Sequence, residues 1–233
     1  MATIAGLGSV EWGADVHAPP EVRGELERVR QLTDAAGLRV ASYGSYWRAG
    51  VHDLVAGRAV VEAAEALGAP RVRIWAGAAG SERATPTMRR AVVRGTTQLA
   101  RIADDHGVVL AYEFHADTLA DTPDSVLDLL DRVDSAAVRT YWQPPNGLPD
   151  EVALDGLDRV LPAVVAVHVF SWWPGTHRLP LAERSGLWRS VIARLPQLGR
   201  PVDMLMEFVA DDDPANVTSD AAVLRTLIER SPT

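Results

Sequence analysis

Four polar residues stand where short apolar runs of the sequence stop: Glu113 in AYEFH, Gln143 in YWQPPN, His168 in AVHVF and Glu207 in LMEFV. Each run is strand-like, rich in β-branched and aromatic residues. Side chains alternate between the two faces of a strand. Glu113 therefore shares a face with Ala111 and Val109, His168 with Ala166 and Val164, and Glu207 with Leu205 and Asp203, while Tyr112 and Leu110 take the opposite face. Two carboxylates, an imidazole and an amide oxygen gathered at one mouth would make a site of hard oxygen donors with one nitrogen. That set suits Mn²⁺, Mg²⁺, Co²⁺ or Zn²⁺ and leaves coordination positions for substrate oxygens. Without a cation two facing glutamates repel; with one, the pair is stabilised and a hydroxyl or carbonyl can be polarised. Taken singly, each residue has a plainer use. A strand-end Glu or Gln caps the strand or faces solvent, and His168, between Val167 and Val169, would serve as a core histidine. The chemical reading rests on the coincidence of all four.

Such residues meet only if their strands run side by side with their carboxyl ends together. The sequence repeats one phrase that achieves this: amphipathic helix, glycine stop, short apolar strand, polar loop. The spacing predicts helices over 21–37, 54–68, 87–107, 122–133, 150–161, 181–195 and 216–230, with strands at 38–47, 71–77, 108–115, 137–143, 163–170 and 201–208. Thr122 with Pro123 and Asp124 reads as a capped helix start, and Gly37 as a C-terminal stop. Helices alternating with apolar strands imply parallel β-α-β crossovers. No G-x-G-x-x-G follows the first strand, so a dinucleotide fold lacks its main signature. The fold class expected is α/β, a (β/α) TIM barrel in one domain over residues 1–233, with its chemistry at the carboxyl ends of the strands. The start, IAGLGSVEWG (4–13), reads as a helix tail, a glycine and a strand. Seven βα units are visible, so the chain is expected to lack the first β-strand and most of the first helix of an eight-unit barrel. A seam left there would expose strand edges, which leaves a homo-oligomer open.

Bulk composition bounds the partners. The chain has 233 residues, 47% of them hydrophobic and 23% charged, enough to bury a sizeable core. Its 31 acids outnumber 23 basic residues, for a net charge of −8. That balance argues against nucleic acid, whose binders carry a basic face, and favours a small neutral or metal-chelating ligand. The longest apolar stretch, residues 160–170, is too short to cross a bilayer, so no membrane partner is expected. The lack of cysteine removes disulfides, thiolate ligands and a Cys nucleophile, and suits a cytoplasmic location.

The phrases SVEWGADVH, GLRVASYGSYW, AYEFH, YWQPPN, AVHVF and LMEFV resemble the xylose isomerase-like TIM barrel superfamily, the group of sugar phosphate isomerases/epimerases and AP endonuclease family 2. The resemblance runs through nearly the whole chain, from the family's second strand onward. It implies a metal held by Glu, Asp, His and Glu at the last four strand ends, which here become Glu113, Gln143, His168 and Glu207. Gln143 then replaces the usual carboxylate, and Asn146 occupies a place where the family often has His. The resemblance further implies that Glu113 and Glu207 act as a catalytic acid/base pair, one removing a proton α to a carbonyl and the other returning it.

Further substrate-binding candidates follow from position. Glu11 and His17 lie after the first strand, Tyr43 leaves the second, and His115 shares the face of Glu113. Trp172 and Trp173 could stack on the C–H face of a sugar, and Arg178 resembles a substrate-contacting basic position of the family. The activity implied is a metal-dependent isomerase or epimerase of a small carbohydrate-like substrate. The same metal site would also serve a lyase or a glycoside-processing enzyme, and Gln143 with Asn146 leaves open a noncatalytic binding barrel.

Overall fold

The computed structural model describes residues 1–231. The chain divides into two compact units, Ser9–Tyr141 and Met1–Gly8 together with the chain from Trp142 onward. We call them the N-terminal and C-terminal units.

The N-terminal unit carries strands β1 (Ser9–Gly13), β2 (Arg39–Arg48), β3 (Arg71–Trp75), β4 (Val109–Tyr112) and all but the last residue of β5 (Val138–Trp142). Helices α1 (Arg23–Ala35), α2 (Leu54–Leu67), α3 (Pro86–Asp105) and α4 (Pro123–Val133) separate them. Neighbouring strands pair in parallel in chain order. The helix starts are written in the sequence. The side chain of Asp53 accepts from the Ala56 N–H at 2.8 Å, and Thr85 and Thr122 cap α3 and α4 in the same way, each followed by a proline that lacks the N–H a first turn cannot use. Each such cap contributes about 1 kcal/mol. At the end of α1, Gly37 and Leu38 donate to the carbonyls of Asp34 and Thr33, a turn that requires the left-handed conformation glycine takes there.

The two faces of β4 separate as the alternation requires. Tyr112 is fully buried and its hydroxyl reaches Thr96 of α3 at 2.5 Å, so this face of the strand meets the helices. Ala111 lies on the other face, and Glu113, one residue past the strand, continues that parity. In the register of β3 against β4, Arg73 stands opposite Ala111 and so shares its face. A register shift between Val10 and Glu11 brings Ser42, rather than Ala41, opposite Glu11. Such shifts re-aim side chains locally.

The C-terminal unit holds α5 (Asp150–Val160), β6 (Val164–Val169), a two-stranded antiparallel hairpin of β7 (Ser171–Trp172) and β8 (Arg178–Leu179), α6 (Ser185–Ile192), β9 (Asp203–Met206) and α7 (Asn216–Glu229). Strands β6 and β9 are parallel, with His168 opposite Leu205. The helix expected over 181–195 is shorter: a 3₁₀ turn at Leu181–Arg184 leads into α6, and a second one at Leu195–Leu198 contains Pro196. Proline cannot supply the N–H that would continue the α-helix. Where the sequence reads as a helix tail, residues 2–6 form hydrogen-bonded turns instead, with Gly6 and Leu7 donating to the carbonyls of Thr3 and Ala2. Gly6 is left-handed, and a Cβ there would lie 2.1 Å from Nη1 of Arg225, which donates to the Ala5 carbonyl. Nothing larger than glycine fits without displacing that arginine.

Seven parallel strands thus alternate with helices among the described residues, the repeat of a (β/α) barrel. No described helix is long and apolar enough to cross a membrane.

Candidate functional site

In the C-terminal unit three of the expected ligands come together. Gln143 directly follows β5, His168 lies near the end of β6, and Glu207 directly follows β9 with its N–H donating to the Val169 carbonyl at 3.1 Å. His168 is buried, and its Nδ1 lies 2.8 Å from Oε1 of Gln143 and 3.2 Å from Oε2 of Glu207. Two oxygens therefore converge on one imidazole nitrogen. A single N–H donates well to one acceptor and cannot fully satisfy both. Two oxygens and a nitrogen converging in this way are the donor set a divalent cation accepts, so the residues fit a metal.

A wall of aromatic rings adjoins Glu207 in sequence. Phe208 packs against Phe170 and Trp172, with ring centroids 5.8 and 4.8 Å apart respectively, and Phe170 and Trp172 are 4.9 Å apart. The guanidinium of Arg178 lies 4.6 Å from the Phe208 centroid and 5.2 Å from that of Trp172, and pairs with Asp212. Asp211 and Asp212 both take positive φ, 56° and 53°, a conformation that costs energy in residues other than glycine. Trp173 is exposed, with Arg184 5.6 Å from its ring. Asn146 is exposed in the loop after Pro145.

The N-terminal unit buries a different polar chain. Glu113 is buried and pairs through Oε2 with Nη1 of Arg73. The Nε of the same guanidinium lies 3.2 Å from Oε1 of Glu11. Glu11 also accepts from the hydroxyls of Ser42 and Tyr141, the latter at 3.1 Å. Burial, and next the negative charge of Glu11, push the Tyr141 phenol well above its ordinary range, so it donates as a neutral hydroxyl. Tyr43 is buried and donates to the Ala18 carbonyl at 2.5 Å; burial foremost raises its pKa as well. His17 is exposed, its ring 5.7 Å from that of Trp12, whose indole N–H donates to Thr33 of α1. His115 is half-buried against Trp75, ring centroids 4.6 Å apart, and its Nδ1 lies 2.6 Å from the Ala116 carbonyl. A carbonyl only accepts, so Nδ1 carries the proton and a neutral ring keeps Nε2 as an acceptor.

Arg73 is the charged residue that the sequence reading passed over, along with Ser42 and Tyr141. A signal existed. In RVRIW the apolar Val72 and Ile74 take one face, which sets both arginines on the other.

A sequence profile described as "Xylose isomerase-like TIM barrel" matches residues 2–227. No curated protein matches the chain. Among solved structures it is similar to the probable 3-DHS dehydratase AsbF of Bacillus anthracis, with 16% identity and a TM-score of 0.78 over 96% of this chain and 90% of that one. It is also similar to a xylose isomerase-like TIM barrel protein from Mycobacterium smegmatis in complex with magnesium, at 19% identity and TM-score 0.75 over 98% and 86%. A third is D-allulose 3-epimerase from Methylomonas sp. in complex with D-allulose, at 18% identity and TM-score 0.69 over 99% and 88%. Identities this low speak to the fold. Because the profile spans both units almost from end to end, the chain belongs to the xylose isomerase-like TIM barrel family.

Proposed function

We propose that the protein is a divalent-metal-dependent isomerase or epimerase of a sugar or sugar-like molecule. Residues 1–233 then act as one domain of the family, whose profile runs across both units. Glu113, His168, Glu207 and the amide oxygen of Gln143 would hold the cation. The observation that carries the reading is the convergence of the Gln143 and Glu207 oxygens on Nδ1 of His168. Buried Glu113 adds a second carboxylate on the face of β4 turned from the helices. The neighbours solved with magnesium and with D-allulose agree with a metal and a small sugar.

A bound cation would supply positive charge beside the substrate oxygens and acidify the C–H next to a carbonyl. Glu113 and Glu207 are the bases: one takes that proton and the other returns it to the same or the adjacent carbon. Trp172 and Phe208 offer ring faces to the apolar side of a sugar. Arg178 and His115 contribute polar contacts, the latter through Nε2.

The test is turnover of a panel of ketoses and aldoses in D₂O with Mn²⁺, read by NMR. Epimer or isomer carrying deuterium at the reacting carbon is expected. Glu113→Gln and Glu207→Gln should each lower the rate by about 10²–10⁴-fold with circular dichroism unchanged. Undiminished turnover in either variant refutes the assignment. The dehydratase neighbour supports a second reading, in which the same proton abstraction is followed by loss of a β-hydroxyl; release of an unsaturated product would select it.

A further inference from the structure

Arg73 sits in the middle of β3 with 7% of its surface exposed, and both anions it touches are largely buried too. Taking a guanidinium out of water costs several kcal/mol, roughly, and apolar residues of similar volume could fill the space as stably. A buried arginine does what an apolar residue cannot: its planar fork fixes the direction of a carboxylate. Glu11 lies 3.2 Å from Nε as an ion-pair partner, and the hydroxyls of Ser42 and Tyr141 hold Glu11, so negative charge faces the guanidinium from both sides. Carboxylates that ligate metals are commonly oriented by such donors, and losing the donor weakens the metal.

We infer that Arg73 is the positioning residue of Glu113, taking Oε2 for itself so that Glu113 offers Oε1 alone to the cation and the substrate. Glu11 is the anchor of that arrangement, and its reach across to Glu113 passes through one guanidinium. This inference rests on the metal-dependent reading proposed above, and concerns the side chain that makes the ligand effective.

The experiment is Mn²⁺ affinity by calorimetry and by electron paramagnetic resonance, on wild type, Arg73→Met, Arg73→Lys and Glu11→Gln, with thermal unfolding recorded for each. Arg73→Met should weaken Mn²⁺ about 10–100-fold. Lysine keeps the charge but lacks the planar fork that fixes a carboxylate's direction, so Arg73→Lys should still lose about three- to tenfold. Glu11→Gln, which touches only the arginine's far edge, should fall between Arg73→Lys and wild type. If Arg73→Met fails to fold, Arg73→Lys decides. A folded Arg73 variant that binds Mn²⁺ as tightly as wild type, or more tightly, overturns the positioning role while leaving the metal reading intact. Wild type that binds no Mn²⁺ overturns both.

Discussion

Oε1 of Gln143 lies 2.8 Å from Nδ1 of His168, at the place where the family resemblance implies a carboxylate. The amide preserves an oxygen donor but adds no charge to balance a cation. Gln143→Asp restores that charge and should tighten Mn²⁺ by about tenfold, since affinity at oxygen sites follows the number of anionic ligands. Calorimetric titration decides it; unchanged affinity would mean that Gln143 is not a ligand.

A metal that binds only the folded chain must stabilise it. At about 100 times its Kd the gain is about 2.7 kcal/mol, or roughly 5–11 °C in Tm for a chain of this size. Scanning calorimetry with Mn²⁺ and then EDTA should show the rise and its reversal in wild type, and neither in Glu207→Ala. Equal shifts in both proteins would place the ion elsewhere.

The Tyr112 hydroxyl and Thr96 bond at 2.5 Å in a fully buried setting between β4 and α3. Tyr112→Phe leaves the threonine hydroxyl without this partner and should cost about 1–2 kcal/mol in urea unfolding. Catalysis should be spared, because the ring faces the helices. A large loss of activity in a stably folded variant would contradict the parity assigned to Glu113.

Asp220 gives a signed pH effect. Its side chain is buried in α7 and accepts from the Leu181 N–H at 3.0 Å, yet burial outweighs that bond and raises its pKa above the ordinary carboxylate value. The folded state then holds this proton more tightly than the unfolded chain. Its contribution is complete below the unfolded pKa and is lost as pH rises through the folded one. Asp220→Asn can keep the bond to Leu181 without a charge, so it should be at least as stable as wild type at pH 7, with the advantage shrinking toward pH 4. Tm measured across that range checks it; a variant less stable at pH 7 would count against the argument.

Much of the scaffold was legible because the physics that sets it is local. Asp53, Thr85 and Thr122 cap helices by contacts three residues long, and Gly37 and Gly68 end helices through a φ that glycine adopts freely. The helix-side face of β4 is legible because Tyr112 is a large aromatic residue, and it is fully buried against Thr96 of α3. The hairpin of β7 and β8 escaped notice, since strands of two residues have no periodicity to read. Arg73 escaped for another reason. This charge lies inside a strand rather than at its end, and its partners Glu11 and Glu113 stand 62 positions before and 40 after it in the chain.

The three-residue ionic chain through positions 11, 73 and 113 carries a consequence for descent. Loss of the middle arginine leaves buried Glu113 without its cation, and loss of Glu113 leaves the arginine with Glu11 as its acidic partner, so each change costs the pairing that offsets burial of charge. Drift at one position is therefore blocked unless another changes with it, so homologous chains should keep the trio whole or discard it as a block. An alignment in which the three vary independently would show that the interior tolerates what this arrangement forbids.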